Sequence, residues 1–197
     1  MFSRLSWTLF TLSLVGVCSL AAQAGAAARA KARAEAERNF RSKLLQDRTD
    51  PFTHEHLRVA ATEGVLLMPG ECGPTMSYLN VAAARADKET TSVFLVLTHH
   101  ASSWLFQSDE APLQVLVDTT LLILPAVGKV RRDVVSAVAV TETKNYTVTR
   151  GQLAAMADAD DVLVRIVGRD RACEGRVFPY ALAVLWMFVG QVLADTR

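Results

Sequence analysis

The sequence predicts an α+β fold, in which a short capped helix and a C-terminal helix pack on a mainly antiparallel β-sheet. Three observations support this: closely spaced apolar runs between residues 92 and 149, a helix-capping sequence directly after them, and an apolar helical stretch near the C terminus. Short apolar runs separated by turn residues are typical of consecutive strands. A β-sandwich is the alternative that the same pattern allows.

Residues 1–26 have the composition of a secretory signal peptide. Arg4 supplies a positive start, Leu5 to Val17 is the apolar run, and small residues follow at Ala22-Gln23-Ala24 and Ala24-Gly25-Ala26. A short apolar run between a basic start and small residues is what signal peptidase processes. The sequence therefore predicts an exported protein, either periplasmic or secreted.

Two other interpretations of this segment stay open. Leu5 to Ala28 is long enough to span a bilayer as an uncleaved anchor. The basic residues that follow, beginning at Arg29, would resist translocation of the chain after such an anchor. A lipoprotein attached at Cys18 fits less well, because Val17 stands where a small residue is needed.

Residues 27–49 are predicted to form a charged, alanine-rich helical arm that precedes a single α+β domain at 50–197. The stretch 27–46 is rich in Ala, Arg, Lys and Glu, a composition typical of an exposed helix. Asp50-Pro51 ends it, since proline disfavours helix in the residue before it. This composition of the arm predicts a solvated connecting helix; because basic residues outnumber acids in it, contact of residues 27–46 with another envelope protein or an anionic membrane surface is the alternative.

The first part of the domain predicts a series of strands. Residues 57–68 form one or two strands with a bend at Gly64, and 76–86 form a strand or a helix, because alanine obscures the period. The runs Val93–Leu97, Leu113–Val117 and 119–124 follow as strands. Asp118 either makes a tight return between two of them or interrupts one longer strand.

The next run, Val134 to Thr141, is predicted to be a central strand that is covered on both faces. Both of its alternating sets of residues are small or apolar, as in strands buried between two layers.

The C-terminal part predicts helix, strand and helix. Thr149 and Gln152 have the spacing of a capping box, which starts a short helix with Leu153, Met156 and Ala157 on its core side. Residues 162–167 form a strand that stops at Gly168. The stretch 178–194 is apolar on nearly every face, and at about 25 Å it is short for a bilayer. We therefore expect it to be buried on the sheet.

Two cysteines remain after removal of the signal peptide, and they are predicted to form a disulfide. Cys72 lies in a Pro- and Gly-rich loop, and Cys173 in the charged stretch 169–176, which also reads as a turn. An even number of cysteines in an exported chain favours a bridge over free thiols.

The four histidines occur in two pairs, which suggest a metal site of limited specificity. His54 and His56 would share one face of a strand, whereas His99 and its neighbour His100 would point to opposite faces. His54, His56 and His99 are therefore the candidate ligands, with zinc as the metal that such side chains suit. Surface or strand-end histidines are the competing interpretation, under which the protein has no cofactor.

The remaining motifs argue against several functional classes. The 21 basic and 20 acidic residues nearly balance, and Arg4 is the sole charge among the first 24 residues, so the body is neutral and a nucleic-acid partner is not expected. No phosphate-binding glycine loop or nucleophile-elbow sequence occurs. Trp104 and Phe106 alternate along one predicted strand, which favours core packing over a ligand groove.

The sequence thus predicts an exported, non-catalytic protein of the cell envelope that binds a partner or ligand. A small metal-dependent hydrolase that uses the histidine pairs is one alternative. A membrane-associated assembly subunit, contacting its partners through the arm and the C-terminal helix, is the other.

Overall fold

The computed structural model describes residues 8–49, 55–62, 65–67, 72, 76–85 and 91–194. Its helices are α1 (Thr8–Asn39), α2 (Arg150–Asp158) and α3 (Pro179–Gln191), and a π-helical turn, Phe40–Leu44, follows α1. The strands are β1 (Leu45–Thr49), β2 (His56–Ala60), β3 (Val65–Leu67), β4 (Met76–Arg85), β5 (Thr91–Ala101), β6 (Leu113–Val117), β7 (Thr120–Leu124), β8 (Ala126–Ser136), β9 (Ala139–Thr147), β10 (Val162–Val167) and β11 (Ala172–Val177).

The predicted α+β fold with a mainly antiparallel sheet is confirmed. The sheet has the strand order β7-β6-β10-β11-β3-β4-β5-β9-β8, and β2 also pairs with β4 and carries β1 on its other side. Pro125 alone separates β7 from β8, although these strands lie at opposite ends of that order. The sheet therefore curls until its two edges share one corner, where the Pro125 carbonyl accepts a 2.9 Å hydrogen bond from Thr147 N.

Several strands follow the sequence prediction closely. The alanine-rich stretch at 76–85 is strand β4, whose Ala82, Ala83 and Ala84 pair with residues 92–94 of β5. Asp118 makes the tight return between β6 and β7 in a left-handed conformation (φ 50°). Its Oδ1 accepts hydrogen bonds from the backbone N–H groups of Asp160 and Asp161, each at 3.0 Å. Aspartate tolerates this conformation better than most residues, and the two hydrogen bonds fix its side chain. Gly64 lies outside the described residues.

The prediction of a central, covered strand over Val134–Thr141 is wrong. A two-residue turn at Ala137-Val138 divides the run between β8 and β9. β8 is an edge strand, and Val134 and Val138 are 71% and 76% exposed. Small and β-branched residues on both faces are found at exposed hairpin ends as well as in buried strands. The pattern alone therefore does not distinguish the two structures.

The predicted helical arm is part of the folded body. Residues 45–49 form β1, which pairs with β2, so the sheet begins before the boundary expected at residue 50. Ala32, Ala36 and Phe40 are buried, and α1 packs on α3. The alanines allow this close approach of two helices, while the intervening basic side chains stay at the surface.

The C-terminal helix and the short helix before it have the predicted character. In α2, the Thr149 side chain accepts a hydrogen bond from Gln152 N, and the Gln152 side chain accepts one from Thr149 N, which confirms the capping box. In α3, seven residues from Ala181 to Phe188 are buried, but the helix packs mainly against α1 and α2, with smaller contacts to β2 and β4. Among the residues whose side chains the structure describes, no helix is both long and apolar enough to cross a membrane.

Candidate functional site

A buried row of polar side chains crosses three neighbouring strands, β4, β5 and β9. Ser77 on β4 lies opposite His99 on β5, and His99 lies opposite Glu142 on β9. The three residues are at most 2% exposed. Residues paired directly across neighbouring strands point to the same face, so the row faces the interior of the curled sheet.

The Glu142 carboxylate holds the segment between β5 and β6. It accepts hydrogen bonds from the backbone N–H groups of Leu105 (2.7 Å), Phe106 (3.0 Å) and Gln107 (3.1 Å). Arg132 Nε on β8 donates a fourth, at 3.1 Å. Consecutive N–H groups that converge in this way form an anion-binding concavity. A side chain of the protein occupies this one, and it fixes the segment's backbone.

The backbone of this segment has one residue in a left-handed conformation and makes one unusually close contact. Phe106 has φ 55°, a left-handed conformation that is costly for an aromatic residue. Gly168, after β10, lies so close to Leu105 that a Cβ atom there would come within 2.2 Å of the Leu105 carbonyl oxygen. The close approach therefore requires glycine at 168, and it presses the segment against the β10–β11 turn.

These contacts form the walls of a cleft of about 560 Å³ at the protein surface. Arg169 lies across its mouth, with the guanidinium carbon 4.8 Å from the centre of the Phe106 ring. Phe106 is 40% exposed, so the expectation that it packs in the core is wrong. The cleft is lined by Phe106, Gln107, Ser108, Asp109, Ala111, Arg132, Val167, Gly168 and Arg169.

Below the cleft, buried polar side chains of β9 support the same segment. Lys144 Nζ donates to the carbonyl oxygens of Ser108 and Ala111, the latter at 2.7 Å. Burial lowers the pKa of Lys144, while Asp109 acts against this shift. The Tyr146 hydroxyl donates to Gln107 Oε1 at 3.2 Å, and burial raises the pKa of Tyr146 well above its usual range. Gln107 Nε2 has no hydrogen-bond partner among the described residues.

The serine, histidine and glutamate of the buried row do not form a working hydrolytic triad. Ser77 Oγ lies 3.0 Å from His99 Nδ1, within hydrogen-bond distance, but Ser77 is fully buried. A nucleophile must be reached by its substrate. Glu142 is already engaged by three N–H groups and an arginine. The row therefore functions as internal support for the cleft.

His99 makes the stability of this support dependent on pH. Burial lowers its pKa, with Arg171 and His100 acting in the same direction and Glu142 against them. In the unfolded chain a histidine takes up its proton near pH 6.5. Below that pH the unfolded state binds more protons than the folded one, so the stability contributed by neutral His99 is present at neutral pH and is lost as the pH falls.

Below pH 6, we expect protonation of His99 in the unfolded chain to lower the free energy of unfolding by up to about 1.4 kcal/mol for each unit that the pH falls. Urea denaturation of the wild type and of His99→Gln between pH 7.5 and pH 5 measures it as the difference between the two slopes. His56→Gln, at an exposed position on β2, is the matched substitution, and His99→Gln should lower the slope by more than His56→Gln does. Equal slopes for wild type and His99→Gln would contradict the assignment.

The structure does not bring the predicted metal ligands His56 and His99 together. His56 pairs with Arg85, which pairs with Thr91, eight residues before His99 on β5. Eight strand residues span about 26 Å, so one ion cannot contact both imidazoles. His54 lies outside the described residues. Among the residues that are described, no group of three potential ligands has an arrangement suited to a metal ion.

The predicted disulfide between Cys72 and Cys173 is present, with the two Cα atoms 5.7 Å apart. Cys173 lies within β11, so its prediction as a turn residue is wrong. Within β11 the charged residues Glu174 and Arg176 lie on the face opposite to Cys173, which is 1% exposed.

Sequence reasoning missed the residues that build the cleft, above all Glu142, Arg132 and Arg169. One signal was available. Glu142 and Lys144 share the alternating face of Tyr146 and Val148, which is an unusual place for charge if that face is buried. That pattern indicates buried polar contacts, but it does not identify residues 105–111 as the partners.

Comparison of the chain with protein-family models, with curated proteins and with solved structures gives no match.

Proposed function

We propose that this is an exported, non-catalytic protein of the cell envelope whose cleft binds a small organic anion. The observation that carries the proposal is Arg169. Its guanidinium is stacked over the exposed ring of Phe106 at the cleft mouth, and it pairs with no carboxylate among the described residues.

The walls of the cleft favour an anionic group joined to an apolar body. Arg132 uses Nε for Glu142 and Nη2 for the Gln107 carbonyl, which leaves further donors of the guanidinium. Arginine forks suit planar carboxylates. Phe106, Ala111 and Val167 supply apolar surface. The volume of the cleft lies in the range of small-molecule sites.

The strained residue supports a binding role for this segment. An aromatic residue at φ 55° is stable here because Glu142 and Gly168 fix the backbone on both sides. Strain of this kind clusters at ligand-binding and catalytic positions. The effect here is to present the Phe106 ring outward, beneath Arg169.

The packing of α1 is compatible with removal of the signal peptide. Arg29 pairs with Asp160 at 2.8 Å and Arg33 with Asp158 at 3.3 Å, and both arginines lie after residue 26. Cleavage after Ala24 or Ala26 would keep them. The contact of residues 27–46 with another envelope protein or a membrane surface stays a prediction, with Lys31 and Arg38 on the exposed side of the helix.

We expect benzoate to bind the cleft at millimolar concentration and benzamide, its neutral analogue, to bind at least five times more weakly. The benzoate carboxylate can form an ion pair with Arg169, whereas benzamide carries no charge and cannot. Titrations followed by NMR chemical shifts should show the changes centred on residues 106–109 and 168–169. Arg169→Gln should weaken benzoate binding at least fivefold.

Arg165→Gln is the matched control, because Arg165 is exposed on the sheet surface, where it pairs with Glu174. Equal binding of benzoate and benzamide would contradict the proposed anion site. An Arg169→Gln variant that binds benzoate as well as the wild type does would contradict it too.

A further inference from the structure

The wall of the cleft carries a hydrogen-bond donor that the protein itself does not use. Gln107 lines the cleft but is only 1% exposed, so it lies deeper than Phe106 at the mouth. Its side-chain nitrogen, Nε2, is buried and has no hydrogen-bond partner in the part of the chain that the structure describes. Buried polar groups in proteins are nearly always paired. An unpaired donor beside a cleft therefore points to a partner that comes from outside the chain.

The other polar groups of Gln107 are all engaged, and they fix the residue in place. Its backbone N–H donates to Glu142 at 3.1 Å, and its backbone carbonyl accepts from Arg132 Nη2. Its side-chain oxygen accepts from the Tyr146 hydroxyl at 3.2 Å. The two N–H bonds of Nε2 are thus what Gln107 has left to offer a ligand.

The contact with Tyr146 determines which end of the amide is free. A tyrosine hydroxyl can donate or accept a hydrogen bond, and the Tyr146 hydroxyl is buried, with Gln107 Oε1 as its acceptor. Turning the amide over would bring Nε2 to the hydroxyl and would leave both Oε1 and the hydroxyl proton unpaired. The orientation with Oε1 at Tyr146 leaves Nε2 alone unpaired. The free group is therefore a donor, and a ligand must meet it with an acceptor.

We infer that Gln107 selects the ligand of the cleft by donating a hydrogen bond from Nε2 to a neutral carbonyl oxygen. The inference rests on the proposed function, because it places the ligand's carboxylate at Arg169 and its apolar part against Phe106 and Val167. The ligand class is then an apolar carboxylic acid with a second, uncharged acceptor, as in oxo acids and N-acyl amino acids. A site that hydrogen-bonds a ligand group discriminates against the analogue that lacks this group, since its own buried donor is then left unpaired.

Two flexible acids that differ at one carbon atom test this inference on the full chain. β-Benzoylpropionate has a ketone between its phenyl ring and its carboxylate, and γ-phenylbutyrate has a methylene group at the same place. We expect the wild type to bind β-benzoylpropionate at least fivefold more tightly in NMR titrations. The side-chain amide signals of Gln107 should shift with the ketone and much less with γ-phenylbutyrate. This second measurement uses the wild type alone, so it does not depend on how a variant folds.

Gln107→Met keeps the length of the side chain and removes the donor, so the advantage of β-benzoylpropionate over γ-phenylbutyrate should disappear in this variant. Gln114→Met is the matched control and should keep the advantage, because Gln114 lies on β6 and does not line the cleft. Equal binding of the two acids by the wild type, or an advantage that survives Gln107→Met, would overturn the inference and leave the anion site standing. If the wild type binds neither acid, the anion site is contradicted together with the inference.

Discussion

Replacing Glu142 with alanine is expected to lower the free energy of unfolding by about 3–5 kcal/mol, because it removes a buried charge whose hydrogen bonds satisfy several donors. The carboxylate is 1% exposed, and it accepts hydrogen bonds from three backbone N–H groups and from Arg132. Removing it leaves the backbone donors without partners in the interior, where each lost bond is costly. Urea denaturation measures the change.

Glu174 provides the matched control, because it forms an ion pair with Arg165 at the surface, where both side chains are substantially exposed. Glu174→Ala should change stability by no more than about 1 kcal/mol. Hydrogen exchange adds a local measurement: in Glu142→Ala the amides of residues 105–107 should exchange faster than in the wild type. If the two alanine variants lose similar stability, Glu142 does not have the structural role described above.

The same substitution should also weaken the proposed anion site. Residues 106–111 form much of the wall of the cleft, and Glu142 fixes the first of them. Benzoate binding should therefore fall in Glu142→Gln, which keeps the size of the side chain but removes its charge. Glu174→Gln should leave it unchanged.

How much of this fold the sequence predicts depends on whether the relevant contacts are local. The capping box at Thr149 and Gln152 and the strand at 162–167 follow from neighbouring residues, and both are confirmed. Val134–Thr141 has the alternation of a covered strand, but whether a strand is covered depends on which others it pairs with. Here β8 has no neighbour beyond β9 in the sheet order, so its valines face solvent.

The cleft could not be predicted because its parts meet only in the folded chain. Glu142 and residues 105–107 are separated by some 35 residues, and Gly168 comes from a third part of the sequence. The sequence does carry the anomaly of charged residues on a buried face of β9. Identifying what satisfies them requires the curl of the sheet, which brings the segment after β5 back over β8 and β9.

Removing the Cys72–Cys173 disulfide is expected to lower the free energy of unfolding by about 2–5 kcal/mol. The bridge joins residues 101 apart in sequence, and in the chain-entropy model a loop of this length restricts the unfolded state strongly. The bridge also ties Cys72, in the connection between β3 and β4, to the buried face of β11. The measurement compares urea denaturation of the wild type with that of a double variant, Cys72→Ala with Cys173→Ala.

Dithiothreitol separates the effect of the bond from the loss of two buried side chains. It should lower the stability of the wild type toward that of the double variant and leave the double variant unchanged. Disulfides persist in oxidising compartments, so the wild type recovered from the periplasm of an expression host should carry the bond, and the same chain confined to the cytosol should be less stable until it is oxidised. A wild type whose stability does not respond to the reductant would show that the bridge does not hold the β3–β4 connection to β11 in solution.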